Sequence, residues 1–541
     1  MVRALFLFLI LLQPVLATTI AIIDTGFDLD HDFLRPKILK QETDEETMNP
    51  DLKAFSDWQF HDNSHLKEAV IKDQSVLQEV LLYRNLKAKG HTEGLSLQEF
   101  EWFKRKKADK SFLEKVKDFK KHTHGTFVAG VALREGENIN IFPIRGLHIP
   151  VPVVAVEDTS ISPVTKSTLK DPEARFKAEI KASIDRVSRK FSKICHYLSL
   201  NKVNVVNASY GITYKNIMTK FREKYREITN KEIDEVKLKN HVDDYFAILY
   251  KKGAKTISRH PKILFIFSAG NSGIDNDQYH HYPSRIRLPN TISVGATNGD
   301  YLATFSNYGF HHVDIGAPGV AILSLIPRVY SGEGRDMYSP SSGTSMAAPY
   351  ISNLAAQVIN TNTKLTPQEV KEIILGTGDE KISLKERISS GSIANNQRAL
   401  KAALLSRDMK IDLAINLAKS DLIPMEDSIS FGQPPAVIAE DYKKKVMGAI
   451  PSATPIDEED DLDFTNEDSL KPSSPVKGPQ DNSDRPVSTP QAEKKKSSDL
   501  DPSSQSEEQS LPLDEDLRPS SSPDELQPLQ TQSEAALPSS P

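Results

Sequence analysis

Short apolar runs alternate with helical segments along most of this chain, and this alternation constrains the fold more than any other feature. Between the runs, residues 174–200 carry apolar side chains at helical spacing, and a second helix through 246–250 is expected to end near Gly253. Strands that are apolar at nearly every position are buried on both faces, which predicts an α/β fold with a mostly parallel central sheet and helices on both faces. The predicted strands are residues 19–23, 140–145, 203–207, 263–267, 291–294 and 313–315.

Polar residues follow two of these strands directly. Asp24 ends the first strand, and Asn271 lies in the glycine-rich segment after residues 263–267. In open parallel sheets the functional site lies at the carboxyl ends of the strands. We therefore expect Asp24 and Asn271 to lie at one functional edge.

A serine and a histidine complete a candidate catalytic set. Ser345 lies between small residues where a loop enters a helix, and the free N–H groups of a helix N-terminus stabilise the negative charge that develops when a hydroxyl attacks a carbonyl. His124 precedes a run of small residues and is predicted to start a helix. His122 is a formal competitor for the role of base and is expected at the surface.

Four segments together resemble the motif blocks of the subtilases, the subtilisin-like serine proteases, in that family's order. The resemblance covers roughly residues 18–405 and implies a serine endopeptidase. It implies that Ser345 is the nucleophile, His124 the general base, and Asp24 the group that orients the base. It also implies that the Asn271 side chain and the Ser345 N–H donate to the oxyanion, and that this chemistry requires no cofactor. The segments are residues 21–26, 124–130, 268–273 and 343–349.

The same resemblance implies a substrate-binding cleft. Main-chain hydrogen bonds would hold an extended peptide on the segment around Ser209 and facing segments. His281 precedes a Tyr-Pro turn whose proline bond is often cis in the family, and it stands where glycine is common at the base of the primary pocket. We expect its imidazole to shorten the pocket and to be partly charged in mildly acidic medium. The residues implied in substrate binding are Ser209, Tyr210, Gly211, Ala269, Gly270 and His281.

The chain also departs from the family pattern. Phe33 stands where an aspartate used in a calcium site is common, so a structural Ca²⁺ is left open. Two helical, charged inserts, residues 64–121 and 213–240, are either solvated decoration or a basic surface that holds the acidic tail or an anionic partner. No recognised nucleic-acid motif accompanies their charge, and nucleic-acid binding is not expected.

The N-terminus resembles a secretory signal peptide. Arg3 precedes an apolar run over residues 4–12, and small residues around Ala17 predict cleavage after that residue. The protein is therefore expected to be secreted or periplasmic. The run is too short to span a bilayer, so no transmembrane anchor is expected. With cleavage at this position, we expect no prodomain of the kind that many secreted relatives carry between Ala17 and Thr18, so that either the body folds unaided or another element assists it.

The C-terminal part differs in composition from the rest. After a linker or extension at 406–450, residues 451–541 carry 21 acidic and 7 basic side chains and a single aromatic residue. Such a segment cannot bury enough apolar surface to offset chain entropy, and we predict a disordered tail. The tail has a formal charge of −14 and the whole chain −6, so residues 1–450 carry +8. The tail either adds solubility or contacts the basic body.

Two further expectations concern thiol chemistry and function class. Cys195 is the only cysteine, which excludes an intrachain disulfide, and its apolar setting predicts a buried, inert thiol.

The alternative to an enzyme is a secreted binding or scaffold protein on an inactivated protease fold. The intact Asp24, His124, Asn271 and Ser345 argue against that alternative.

Overall fold

The predicted apolar runs form the strands of a central sheet. The computed structural model describes residues 17–39, 64–92, 94–146, 171–330 and 338–420. Within these residues the strands are β1 (Thr18–Asp24), β2 (Ile139–Arg145), β3 (Val205–Ala208), β4 (Ile212–Thr213), β5 (Leu264–Ser268), β6 (His281–Tyr282), β7 (Thr291–Asn298), β8 (Tyr301–Leu302), β9 (Ile315–Pro318), β10 (Ile322–Leu325), β11 (Tyr338–Ser341), β12 (Asp379–Glu380) and β13 (Ser392–Ile393).

The main sheet has the order β12-β13-β9-β7-β5-β3-β1-β2, with β8 paired to β7. Pairing is parallel from β13 through β2 and antiparallel for β12 and β8. Two small antiparallel sheets, β10-β11 and β4-β6, lie apart from it. The mostly parallel sheet predicted from the sequence is therefore confirmed.

Helices cover both faces of this sheet. On β1, Ile20 and Ile22 belong to one hydrophobic cluster, with α3 and α7, while Ala21 and Ile23 belong to the opposite one, with α4 and α6. All four side chains are fully buried, as expected for a central parallel strand. The helices are α1 (Gln74–Thr92), α2 (Leu97–Ala108), α3 (Lys110–Ala132), α4 (Pro172–Leu200), α5 (Tyr214–Thr229), α6 (Glu235–Ser258), α7 (Thr344–Thr361), α8 (Pro367–Gly376), α9 (Asn396–Leu405) and α10 (Ile411–Ser420).

A local signal explains where α4 begins, whereas the predicted end of α6 is wrong. α4 begins where the Asp171 carboxylate accepts hydrogen bonds from the first turn, followed by a proline at the first helical position. α6 does not end near Gly253 as predicted but continues to Ser258. Ile257 is fully buried beyond the glycine, and its packing outweighs the roughly 1 kcal/mol that one glycine costs a helix.

The first insert, residues 64–121, packs on the body of the protein. It consists of α1, α2 and the first half of α3, and a capping box between Ser96 and Glu99 starts α2. Tyr83 stacks on Phe103 at 4.6 Å inside the insert. The same apolar cluster includes Tyr330 from the body. This insert is therefore more than a solvated decoration.

The second insert also contributes to a core. Its helix α5 buries Phe221 and Tyr225, whose rings meet Phe176 of α4 edge-on at 5.8 and 5.2 Å. The packed body also extends past the predicted boundary at residue 405, because α10 buries Ala414 and Ala418.

Some of the sequence predictions concern segments that the structure does not describe, and others can be compared with it. Three predicted segments lie outside the described residues: the signal segment through residue 16, the part of the linker after Ser420, and the acidic tail. Among the helices of the described residues, none combines the length and apolarity needed to cross a membrane. Cys195 is fully buried, and burial raises the pKa of its thiol, which confirms the prediction of a buried side chain.

Candidate active site

Asp24 lies at the carboxyl end of β1 and is fully buried. Its Oδ1 accepts hydrogen bonds from the Thr25 N–H at 2.7 Å and from the Thr25 hydroxyl at 3.3 Å. The same oxygen lies 2.7 Å from Nδ1 of His124. A buried carboxylate held this way fixes both the ring orientation and the tautomer of the histidine.

His124 does not start a helix, contrary to the prediction. It lies well inside α3, a 23-residue helix that begins in the insert at Lys110. Gly125 lets this helix approach the turn after Asp24, because a Cβ at that position would lie 2.1 Å from the Gly26 carbonyl oxygen. The Thr126 hydroxyl then accepts a hydrogen bond from the Asp28 N–H at 3.0 Å. Together these contacts fix His124 against the end of β1.

His122 is buried, which contradicts the prediction of a surface residue. It is 6% exposed, and its Nδ1 lies 3.0 Å from the hydroxyl of Tyr330. Of the two histidines, His124 is the one that contacts Asp24.

Ser345 lies in the first turn of α7, behind Gly343, whose φ of 152° favours glycine. The Ser345 hydroxyl donates to the Ser209 carbonyl at 3.2 Å, and the Ser209 hydroxyl donates to the Ser345 carbonyl at 3.0 Å. Ser209 follows Ala208, which pairs with Ile23 on β1. Ser209 therefore lies beside Asp24 at the carboxyl ends of two neighbouring strands, and its hydrogen bonds hold Ser345 at the same edge of the sheet.

Asn271 has a fixed amide orientation. Its Oδ1 accepts hydrogen bonds from the N–H of Thr344 at 2.7 Å and from the Thr344 hydroxyl at 2.8 Å. A backbone N–H can only donate, so the oxygen faces Thr344 and the Nδ2 donor faces the other way. The Thr344 hydroxyl also accepts from the Gly270 N–H at 3.1 Å. Thr344 thus orients the Asn271 amide. The sequence analysis did not predict this, although Thr344 lies next to the candidate nucleophile in sequence.

The predicted substrate-binding segments meet at His281. A Cβ built on Gly211 would lie 2.1 Å from Nε2 of His281, and one built on Gly270 would lie 2.9 Å from the same atom. The imidazole therefore fills the space between the two segments. Its Nδ1 lies 2.7 Å from the Ser284 hydroxyl. The peptide bond between Tyr282 and the following proline is cis, as expected.

The His281 ring is almost completely buried. Burial lowers the pKa of this imidazole to about 4. The expectation that it would be partly charged in mildly acidic medium is therefore wrong, because the side chain stays neutral well below its ordinary pKa of 6.5.

The loop after Asp24 contacts a cation from a distant segment of the chain, Arg328. Arg328 donates from its backbone N–H at 2.8 Å and from Nε at 3.2 Å to the Asp28 carboxylate, and its guanidinium lies 3.7 Å from Asp30. The hydrogen bond that Arg328 donates to the Asp28 carboxylate raises the pKa of Arg328. In the part of the chain that the structure describes, no group of three or more His, Cys, Asp or Glu side chains is arranged to hold a metal ion.

Known proteins resemble this chain in part. The model of the Subtilase family matches residues 17–398. Subtilisin-like protease 2 of Plasmodium falciparum is 29% identical over 211 residues, 38% of this chain and 13% of that protein. The extracellular basic protease of Dichelobacter nodosus is 36% identical over 146 residues, 26% of this chain and 23% of that protein. The chain thus spans less than a quarter of the length of either relative.

Solved structures are more distant. A lanthipeptide protease is 18% identical, with 71% of this chain and 87% of that chain covered and a TM-score of 0.36. The family model, by contrast, covers well over half of the chain and includes all four candidate catalytic residues. The chain belongs to the subtilase family.

Proposed function

We propose that this protein is a secreted serine endopeptidase that hydrolyses peptide bonds through an acyl-enzyme. The contact that carries the proposal is the 2.7 Å hydrogen bond between the buried Asp24 carboxylate and Nδ1 of His124. This pair lies at the same edge of the sheet as Ser345, whose hydroxyl donates to the Ser209 carbonyl at the end of the neighbouring strand β3. Such a set of nucleophile, base and orienting group is what acyl transfer needs.

In the proposed reaction, the Ser345 Oγ bonds to the carbonyl carbon of the substrate while Nε2 of His124 takes the hydroxyl proton. The intermediate collapses, the C–N bond breaks, and the same nitrogen gives the proton to the leaving amine. Water then attacks the acyl-enzyme with His124 again as base, and Ser345 is restored. Asp24 orients His124 and stabilises the imidazolium that forms in each half-reaction.

Two donors would stabilise the oxyanion. The Nδ2 group of Asn271 is available because Thr344 holds the amide oxygen. The backbone N–H of Ser345, in the first turn of α7, would be the second donor. Since both groups are fixed before the substrate arrives, they stabilise the transition state without reorganisation.

The peptide would lie between two backbone segments, Ser209–Tyr210–Gly211 and Ala269–Gly270. The Tyr210 side chain packs against the hydrophobic cluster below, so its backbone is the part that would pair with substrate. His281 would form the floor of the primary pocket. A neutral imidazole in this position leaves little depth, and we propose a preference for small side chains before the cleaved bond.

The proposed activity needs neither a metal nor a cofactor. Arg328 supplies a positive charge beside Asp28, and this contact supports a loop that is stable without calcium.

Export by the segment through Ala17 is consistent with the extracellular protease of Dichelobacter nodosus among the relatives. The charge of the acidic tail further supports a weak, salt-sensitive contact with the basic body.

Cleavage of unfolded casein by the purified protein tests the proposal. The wild type should cleave it, and Ser345→Ala should abolish cleavage while leaving the circular dichroism spectrum unchanged. Thr361→Ala is a matched control, because it removes a hydroxyl from the far end of the same helix, where that hydroxyl donates to the Gln357 carbonyl at 2.9 Å. Equal activity of wild type and Ser345→Ala would refute the proposal.

A further inference from the structure

The first insert contacts both segments that carry the catalytic residues. Its helix α1 packs against β11, the strand that leads into Ser345, and its last helix, α3, continues into the segment that carries His124. β11 ends at Ser341, only four residues before the nucleophile. A side chain that joins α1, α3 and β11 can therefore affect the separation of base and nucleophile.

Arg84 joins these three elements. It lies on α1 and is 8% exposed. Its Nε donates to the Ser339 hydroxyl at 2.9 Å, and its Nη2 donates to the Pro340 carbonyl at 2.9 Å, so the guanidinium holds two consecutive residues of β11. The cation also lies over the ring of Phe119 on α3, 5.4 Å from the ring centre.

The surroundings leave this connection little freedom. The Ser339 side chain is fully buried. Phe119 packs on Tyr330 at 4.8 Å between ring centres, and the Tyr330 hydroxyl contacts His122, two residues before the candidate base. The planar guanidinium fixes both direction and distance, which a flexible ammonium group cannot do.

We propose that Arg84 is a positioning residue for the proposed peptidase reaction. It fixes the strand that leads into Ser345 relative to the helix that carries His124. Displacement of a catalytic group by about 1 Å costs on the order of 100-fold in rate, so a loosened β11 slows acylation even when the fold survives. Peptide binding depends on Ser209–Gly211 and Ala269–Gly270, which lie outside the three elements that Arg84 joins, and should change little.

The test measures kcat and KM of the full chain on a peptide anilide, together with the melting temperature. Arg84→Met keeps an apolar stem over Phe119 but removes the donors to β11. We expect kcat to fall about 10- to 100-fold, with KM within about threefold of wild type. Arg84→Lys keeps the charge and one donor and should restore part of the loss. Ser339→Ala removes the acceptor of Nε and should lower kcat in the same direction.

Lys89→Met is the matched control. Lys89 forms an ion pair with the buried Glu99 at 2.8 Å inside the insert, so its loss destabilises the insert without a contact to β11. It should lower the melting temperature while kcat of the folded protein stays at the wild-type value. If Lys89→Met and Arg84→Met lower kcat equally, Arg84 is merely structural and the inference is wrong.

The inference rests on the proposed function, and the two can fail separately. A wild type that cleaves nothing and resists a serine-directed fluorophosphonate refutes the function. An active wild type whose kcat is unchanged in folded Arg84→Lys and Ser339→Ala refutes only the role of Arg84.

Discussion

The buried imidazole of His281 should make the protein less stable in acid by a calculable amount. Its pKa is about 4 in the folded protein and 6.5 when exposed. Between these values the unfolded chain binds more protons than the folded one, so stability falls as the pH falls below 6.5 and the loss levels off below 4. One pKa unit corresponds to 1.36 kcal/mol, which gives a loss of about 2 kcal/mol at pH 5 and about 3 kcal/mol at pH 4 relative to pH 8.

Urea unfolding of wild type and His281→Gln measures this loss directly. Both are made in the Ser345→Ala background to prevent self-digestion. The difference in unfolding free energy between the two should move in favour of the variant by about 2 kcal/mol from pH 8 to pH 5. Because it is a difference, contributions from His280 and other groups common to both proteins cancel.

A difference between wild type and His281→Gln that stays constant from pH 8 to pH 4 would refute the reasoning. It would mean that the imidazole is solvated or rearranges when protonated. It would also remove the argument that the pocket floor is neutral.

Three further predictions use other contacts. Asn271→Ala should lower kcat about 10²- to 10³-fold with a smaller change in KM, since its donor acts on the developing oxyanion; steady-state kinetics check this, and a rise in KM alone would contradict it. A calcium chelator should leave the melting temperature unchanged because Arg328 neutralises Asp28, whereas a clear fall on chelation would show that a bound ion stabilises the fold. Truncation after Ala453 should preserve both the melting temperature and the rate on a small peptide; a lost melting transition would show that the tail belongs to the fold.

The sequence predicted the parts of the fold that depend on local pattern. Continuous apolar strands such as residues 263–267 require burial on both faces, and this property implies a parallel sheet covered by helices. The position of Asp24 followed from the same rule, because the carboxyl ends of parallel strands meet at one edge. These inferences need only periodicity and strand polarity.

Long-range contacts could not be predicted in this way. The run of small residues after His124 suggested a helix start, but the helix begins at Lys110. Gly125 is required instead by its close packing on Gly26, a contact that the local sequence does not indicate. Arg84 and Ser339 are 255 residues apart in sequence, and nothing local to either one indicates their hydrogen bond. The neutral state of His281 likewise depends on burial, which only the packed structure provides.

Covalent labelling with a fluorophosphonate tests the central claim most directly. In folded wild-type protein, the Ser345 Oγ should displace the leaving group from phosphorus, and mass spectrometry should map one adduct to the peptide that contains Ser345. His124→Ala should slow labelling by at least about 10³-fold, and Ser345→Ala should abolish it. Absence of the adduct in folded wild type, or equal labelling of Ser345→Ala, would contradict the claim that Asp24, His124 and Ser345 form a working catalytic triad.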